Sequence, residues 1–186
     1  MHPLSLEIGR ILCELHLPDA EVLLGSECGG KEKVQLFCGE PPTFKTRLIC
    51  ADAAIRIKNE IKIVLEIEES KIDPVQFFGK AFATAGCTFY CGLRGRYPIS
   101  GELLFIQVLI KRDTDRSKEE QCRNIERVMS EMCKGTRIAK YAFHWGTPAE
   151  YRDKPNHAKD LHAEIHAFLA LPVILHPEAK DISQQQ

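Results

Sequence analysis

A chain of 186 residues with 44% hydrophobic and 27% charged residues has the make-up of a water-soluble globular protein, long enough to bury one core. Its formal net charge of −1 excludes a general attraction to polyanions, so a nucleic-acid partner would have to be met by a local basic patch. No run approaches the roughly 18–20 apolar residues of a membrane span, and the opening MHPLSLEIGR lacks the apolar centre of a secretory signal. The expected location is the cytoplasm, with no membrane partner and with the 8 cysteines mostly reduced.

In chain order, LSLEIGRILCELHL spaces Leu4, Ile8, Ile11, Leu12 and Leu15 for one face of a helix, with Ser5 as its expected cap and Pro18 beyond its end. GSECGGKEK reads as a turn-rich loop and KVQLFC (33–38) as a short strand, closed by GEPPTF. TRLICADAAIRIKNEIKIVLEIEES reads as two strands around a turn at Lys58, Asn59 and Glu60. DPVQFFGKAFATAG follows as a helix, with Asp73 as cap, Pro74 at its first position and Gly86 at its stop. CGLRGRYPISG reads as a loop, and ELLFIQVLIK (102–111) as a central strand covered on both faces. Ser117 and Glu120 have capping-box spacing before an amphipathic helix. TRIAKYAFHWG then reads as a fifth strand and HAKDLHAEIHAFLA as the last helix.

The expected class is therefore α/β, a mixed sheet with helices packed on it. One domain is expected over 1–186: a core over about 4–111, a C-terminal α-β-α extension over 112–180, and a frayed tail at 181–186.

Strand parity makes the hairpin informative. Ile61, Ile63, Leu65 and Ile67 share one apolar face, and Lys62, Val64, Glu66 and Glu68 the other. In the preceding strand, Ile49, Ala51, Ala53, Ile55 and Ile57 share a face, opposite Cys50, Asp52, Ala54 and Arg56. A three-residue turn pairs Ile57 with Ile61 and sets Asp52 opposite Glu66, with β-carbons roughly 4.5–5.5 Å apart. A slip of two residues sets Asp52 opposite Glu68 instead. Facing carboxylates repel by some tenths to about 1 kcal/mol, and a hard divalent cation reverses that sign. The competing reading is a solvated hairpin face on which Arg56 and Lys62 pair with the acids. Cys50, Ala54 and Val64 on the same face argue that the face is partly covered.

Asp52, then LEIEE with Glu66 and Glu68, then a helix and the apolar strand 102–111, resembles the PD-(D/E)xK nuclease superfamily. That superfamily is restriction-endonuclease-like and has an α-β-β-β-α-β core; the resemblance spans roughly residues 4–111. It implies a nuclease that hydrolyses phosphodiester bonds, DNA as the nucleic-acid partner, and a Mg²⁺ cofactor that Mn²⁺ can replace. Asp52 matches the first acid and Glu66 the second, both metal ligands, while Glu68 stands where the family usually has lysine. Ala51 replaces the usual proline before the first acid. Glu68 would bind a second metal or orient the attacking water. Lys80, with Gln76 one turn before it on the same helix face, is the expected substitute for the lysine, and Lys71 its rival. Glu7 or Glu14 is a candidate outer carboxylate. Cutting two strands would favour a homodimer through the helices after residue 111.

Candidate phosphate contacts are Arg94 and Arg96 beside Tyr97, then Lys111, Arg112, Arg116 and Lys118, and Lys31 and Lys33. Cys87 and Cys91 read as small buried thiols rather than a metal pair. His162 and His166, one turn apart, read as helix surface or interface rather than zinc ligands, and His144 and Trp145 as packing residues. The glutamate at the lysine place and the near-neutral charge support a rival reading, a catalytically silent module that binds nucleic acid or protein. A hydrolase for a small phosphate ester is a third reading, with no Gly-rich phosphate cradle behind it.

Overall fold

The computed structural model describes residues 2–70, 73–111 and 119–170. Lys71, Arg112, Arg116, Ser117, Lys118 and the tail 181–186 lie outside these.

The expected mixed α/β class is the class observed, with eight strands and five α-helices among the described residues. Helix α1 (Pro3–Cys13) starts before Ser5: Pro3 takes an opening helical position, where a missing N–H is harmless, and Ser5 is buried within the first turn. A short strand, β1 (Ala20–Leu24), follows, then a 3₁₀ turn at Ser26–Cys28. β2 (Val34–Phe37), β3 (Arg47–Ala51), β4 (Ala53–Ile57) and β5 (Glu60–Glu68) come next.

The first hairpin strand read from the sequence is thus two strands, parted at Asp52. Ala51 packs in one core and Ala53 in the other, although alternate residues of a regular strand share a face. The chain therefore turns over at Asp52, so that β3 pairs with β2 while β4 pairs with β1 and β5. The turn beyond β4 holds two residues, not three: Ile57 pairs with Glu60, and Lys58 takes φ +53°. A bulge at Ile55/Arg56 absorbs the difference, so Ala53 still pairs with Leu65. The same irregularity turns Ile61 to the core opposite that of Ile63 and Leu65, against the single apolar face expected.

Helix α2 (Pro74–Gly86) has the cap expected of it, with the Asp73 side chain accepting from Val75 N at 3.0 Å. The supposed loop at 91–101 is instead a hairpin between β6 (Phe89–Gly92) and β7 (Gly95–Ile110), joined through Leu93 and Arg94. β7 then runs parallel to β5 and to β8 (Ile138–Gly146), with α3 (Glu119–Met132) in the crossover. A short helix, α4 (Pro148–Asp153), opens on a capping box of Thr147 and Glu150, and α5 (Pro155–Ala170) follows.

The strand order is β1-β4-β5-β7-β6-β2-β3, with β8 on the far side of β7. One sheet face packs against α1, Tyr151 of α4, and α5. The other packs against α2, α3 and the β2-β3-β6 end of the same sheet. Phe105, Leu104 and Val108 of β7 are fully buried, as a strand covered on both sides requires. No helix among the described residues is long and apolar enough to cross a membrane.

Candidate active site

The two acids singled out by strand parity are brought together. The β4–β5 ladder ends at the Ala53–Leu65 pair, which leaves Asp52 and Glu66 each one residue beyond it. Both line a cleft of about 560 Å³, with Glu68, Glu69, Ser70, Ile49, Cys50 and Lys80. Lys80 reaches it from α2: its Nζ is 2.8 Å from Glu66 Oε2 and 3.6 Å from Glu68 Oε2. Gln76, one turn earlier, is exposed.

Backbone geometry holds Asp52 in place. Its Oδ2 accepts from Ile67 N at 2.7 Å, and its carbonyl accepts from Gly25 N at 2.8 Å. A β-carbon at position 25 would lie 2.9 Å from that carbonyl oxygen, so the close approach of the two backbones needs glycine. Burial raises the Asp52 carboxyl above its usual range, with the Ile67 N–H and Lys80 acting against it.

Glu66 is only 3% exposed. Burial drives its pKa up to about 8; the nearby Lys80 opposes this and Asp52 adds to it. Burial alone would lower Lys80, but Glu66 keeps that ammonium more basic than usual. Glu66 Oε2 meets Lys80, while Oε1 is buried with no hydrogen-bond partner among the described residues. A buried carboxylate oxygen without a protein donor carries a proton, meets an ordered water or faces a cation.

Glu68 accepts from Ser70 N at 3.0 Å and from the Ser70 hydroxyl, which ties it across the turn at the end of β5. Glu69 lines the cleft too, and its Oε1 accepts from Ser5 N at 2.8 Å and Ser5 Oγ at 2.9 Å. It thereby satisfies a first-turn N–H of α1 and docks that helix onto the strand carrying the site. This acid, not Ser5, supplies the cap.

The structure corrects some sequence-based expectations and keeps others, among them His162 at a helix interface and Cys87 as a buried thiol. Glu7 pairs with Arg10 and Arg152, and Glu14 with Arg10, so neither reaches the cleft. Arg56 pairs with Glu21, and Lys62 with Glu60 and Ser100, so neither neutralises Asp52, Glu66 or Glu68 as a solvated hairpin face would require. Arg94 pairs with Glu21 and Glu32, and Arg96 with Glu40, while both arginine side chains stay about half exposed. His162 bonds to Ile11 O at 3.0 Å, an α5–α1 interface contact. Cys87 is buried, Cys91 partly so, and both are free thiols. His2 and Glu27 line the cleft unforeseen. The packing of Gly9 on the Cys28 backbone carries Glu27 there, and no local pattern records that contact.

No three His, Cys, Asp or Glu side chains among the described residues form a ready-made metal-ligand set. The donors present nevertheless fit a hard divalent cation. Two carboxylates face one cleft, one of their oxygens is buried without a partner, and Mg²⁺ commonly takes one or two carboxylates plus water and phosphate oxygens. Comparison of the chain with protein families, curated proteins and solved structures finds no match to any of them.

Proposed function

We propose that this protein is a metal-dependent nuclease that hydrolyses phosphodiester bonds, with DNA as its substrate. The observation that carries this reading is the partnerless oxygen of Glu66, buried beside Lys80 in the cleft shared with Asp52. Asp52 and Glu66 would hold the cation. Bound there, Mg²⁺ or Mn²⁺ supplies Lewis acidity toward the phosphate and acidifies a water.

The chain's own residues account for the rest. The Ile67 N–H fixes the Asp52 carboxylate through Oδ2 in the cleft that Asp52 lines. Lys80 offsets the acids in the resting site and balances negative charge as it develops on the phosphate. Glu68, anchored by Ser70, orients the attacking water and accepts its proton. Lys80 thus supplies from α2 the cation that the PD-(D/E)xK pattern usually has in the place of Glu68.

The decisive test incubates plasmid, linear duplex and single-stranded DNA with the protein in Mg²⁺, Mn²⁺ or chelator, beside Asp52→Ala. Cleavage that requires both metal and Asp52 supports the reading. Binding with no cleavage under every condition would replace it with the catalytically silent module. The internal pairing of Arg94 and Arg96 is the observation on that side.

A further inference from the structure

The β2–β3 loop, CGEPPTFKT, presents an aromatic ring to solvent: Phe44 is 83% exposed. The loop around it is braced. Thr46 Oγ1 donates to Pro41 O at 2.6 Å and accepts from Thr43 N at 2.9 Å, and Cys38 N donates to Thr46 O at 2.9 Å. The Arg47 guanidinium lies 5.2 Å from the centre of the Phe44 ring, steadied by the Gln35 side chain at 3.4 Å. Since so much of Phe44 is exposed, the ring face away from Arg47 is open. Lys45 is exposed beside it. The loop's single acid, Glu40, is taken by Arg96, and neither Lys45 nor Arg47 has an acidic partner among the described residues.

This tip joins the cleft through one strand. β3 is the last strand in the sheet order, hence an edge, and it runs from Arg47 to Ala51, next to Asp52. Ile49 and Cys50 of the same strand line the cleft. At about 3.3 Å per residue, Arg47 and Asp52 are about 17 Å apart along the chain.

We propose that the Phe44 tip is a stacking platform for an unpaired base, so that a single-stranded nucleic acid lies along β3 with its backbone leading into the cleft. This deepens the nuclease reading by naming its substrate class, and it rests on that reading for the role of the cleft. The chemistry on the page selects the partner: an exposed π face takes a base, and the free cations beside it take phosphates. A base paired within a duplex has no free face for the ring.

The test measures binding, not cleavage, so that it is separable from catalysis. A short fluorescent oligothymidylate and a blunt duplex are titrated in chelator with wild type, Phe44→Ala, Phe44→Trp and Arg47→Ala, and unfolding midpoints are checked in parallel. Wild type should prefer the single strand. Phe44→Ala should bind it about 10-fold more weakly, the scale of one lost base stack, with an unchanged midpoint. Phe44→Trp should restore affinity, and Arg47→Ala should flatten the salt dependence. Equal binding by Phe44→Ala and wild type, a preference for duplex, or no binding at all would overturn the proposal. So would Phe44-dependent binding to anionic lipid vesicles without oligonucleotide binding. Asp52-dependent cleavage combined with indifference to Phe44 would remove this inference and leave the nuclease standing. Phe44-dependent binding with no cleavage under any condition would do the reverse.

Discussion

Lys80 and Glu66 form an ion pair at 2.8 Å in which the carboxylate is almost wholly buried and the lysine is not. The asymmetry decides the electrostatics: desolvation of Glu66 outweighs the attraction of Lys80, and the carboxyl titrates near pH 8. A carboxyl whose folded-state pKa lies above its unfolded value binds its proton more tightly in the folded protein. Its contribution to stability is fully present below the ordinary glutamate range and is lost as pH rises toward about 8. In metal-free buffer, urea midpoints should therefore fall between pH 5 and pH 8, and Glu66→Gln should flatten that slope. An unchanged slope in Glu66→Gln would show that Glu66 does not titrate in this window. With Mg²⁺ present at pH 8, wild type should regain stability through binding to the folded state, and Glu66→Gln should not.

Asp52 serves the backbone as well as the cleft, because its Oδ2 accepts from Ile67 N. Asp52→Asn can keep that acceptor, so its stability should stay within about 1 kcal/mol of wild type. On the proposed nuclease reading, metal-dependent cleavage should fall by about 100-fold or more, because the loss of a metal ligand would remove several kcal/mol of transition-state stabilisation. Asp52→Ala should lose both activity and about 1–3 kcal/mol of stability, since Ile67 N–H is left without its acceptor. Cleavage rates beside urea melts separate the two effects. Full activity in Asp52→Asn would remove Asp52 from the site.

Glu69→Ala should destabilise the protein by about 1–3 kcal/mol, since it strands the Ser5 N–H and hydroxyl, which are buried. Amide exchange in the first turn of α1 should rise with it. An exposed glutamate of no structural role would move neither reading.

Gly9→Ala reverses the usual expectation for a helix. Alanine favours the helical state by about 1 kcal/mol over glycine, yet a β-carbon here would sit 2.1 Å from Cys28 O, a backbone atom. The substitution should destabilise by about 1–3 kcal/mol through overpacking and shift the Ser26–Cys28 turn that carries Glu27. A thermal midpoint equal to or above that of wild type would show that α1 can move away from the turn without penalty.

Strand parity and turn chemistry settle much of this molecule before any tertiary contact is known. Alternation puts Glu66 and Glu68 opposite the Ile63–Leu65–Ile67 face, the hairpin brings Asp52 and Glu66 to one cleft, and Asp73, Pro74 and Gly86 bound the helix that carries Lys80. These are short-range effects, written in neighbouring residues. Where the reading failed, a distant partner intervened. The break at Asp52 arises because Ala51 and Ala53 pack in opposite cores, and Gly25 lets another backbone close on the bend. β1 and β6 are strands of five and four residues that exist by pairing with β4, and with β2 and β7. Glu69 reads locally as one more acid after a strand, and only the docking of α1 makes it a helix cap. Arg94 and Arg96 read as free cations until the fold supplies Glu21, Glu32 and Glu40. The sequence alone thus determined which side chains share a face along the regular run from Ile63 to Glu68, but not across the break at Asp52 or the bulge before Ile63. Tertiary structure decided which charges are paired within the protein and which remain in the cleft, because burial and pairing depend on segments brought together across tens of residues.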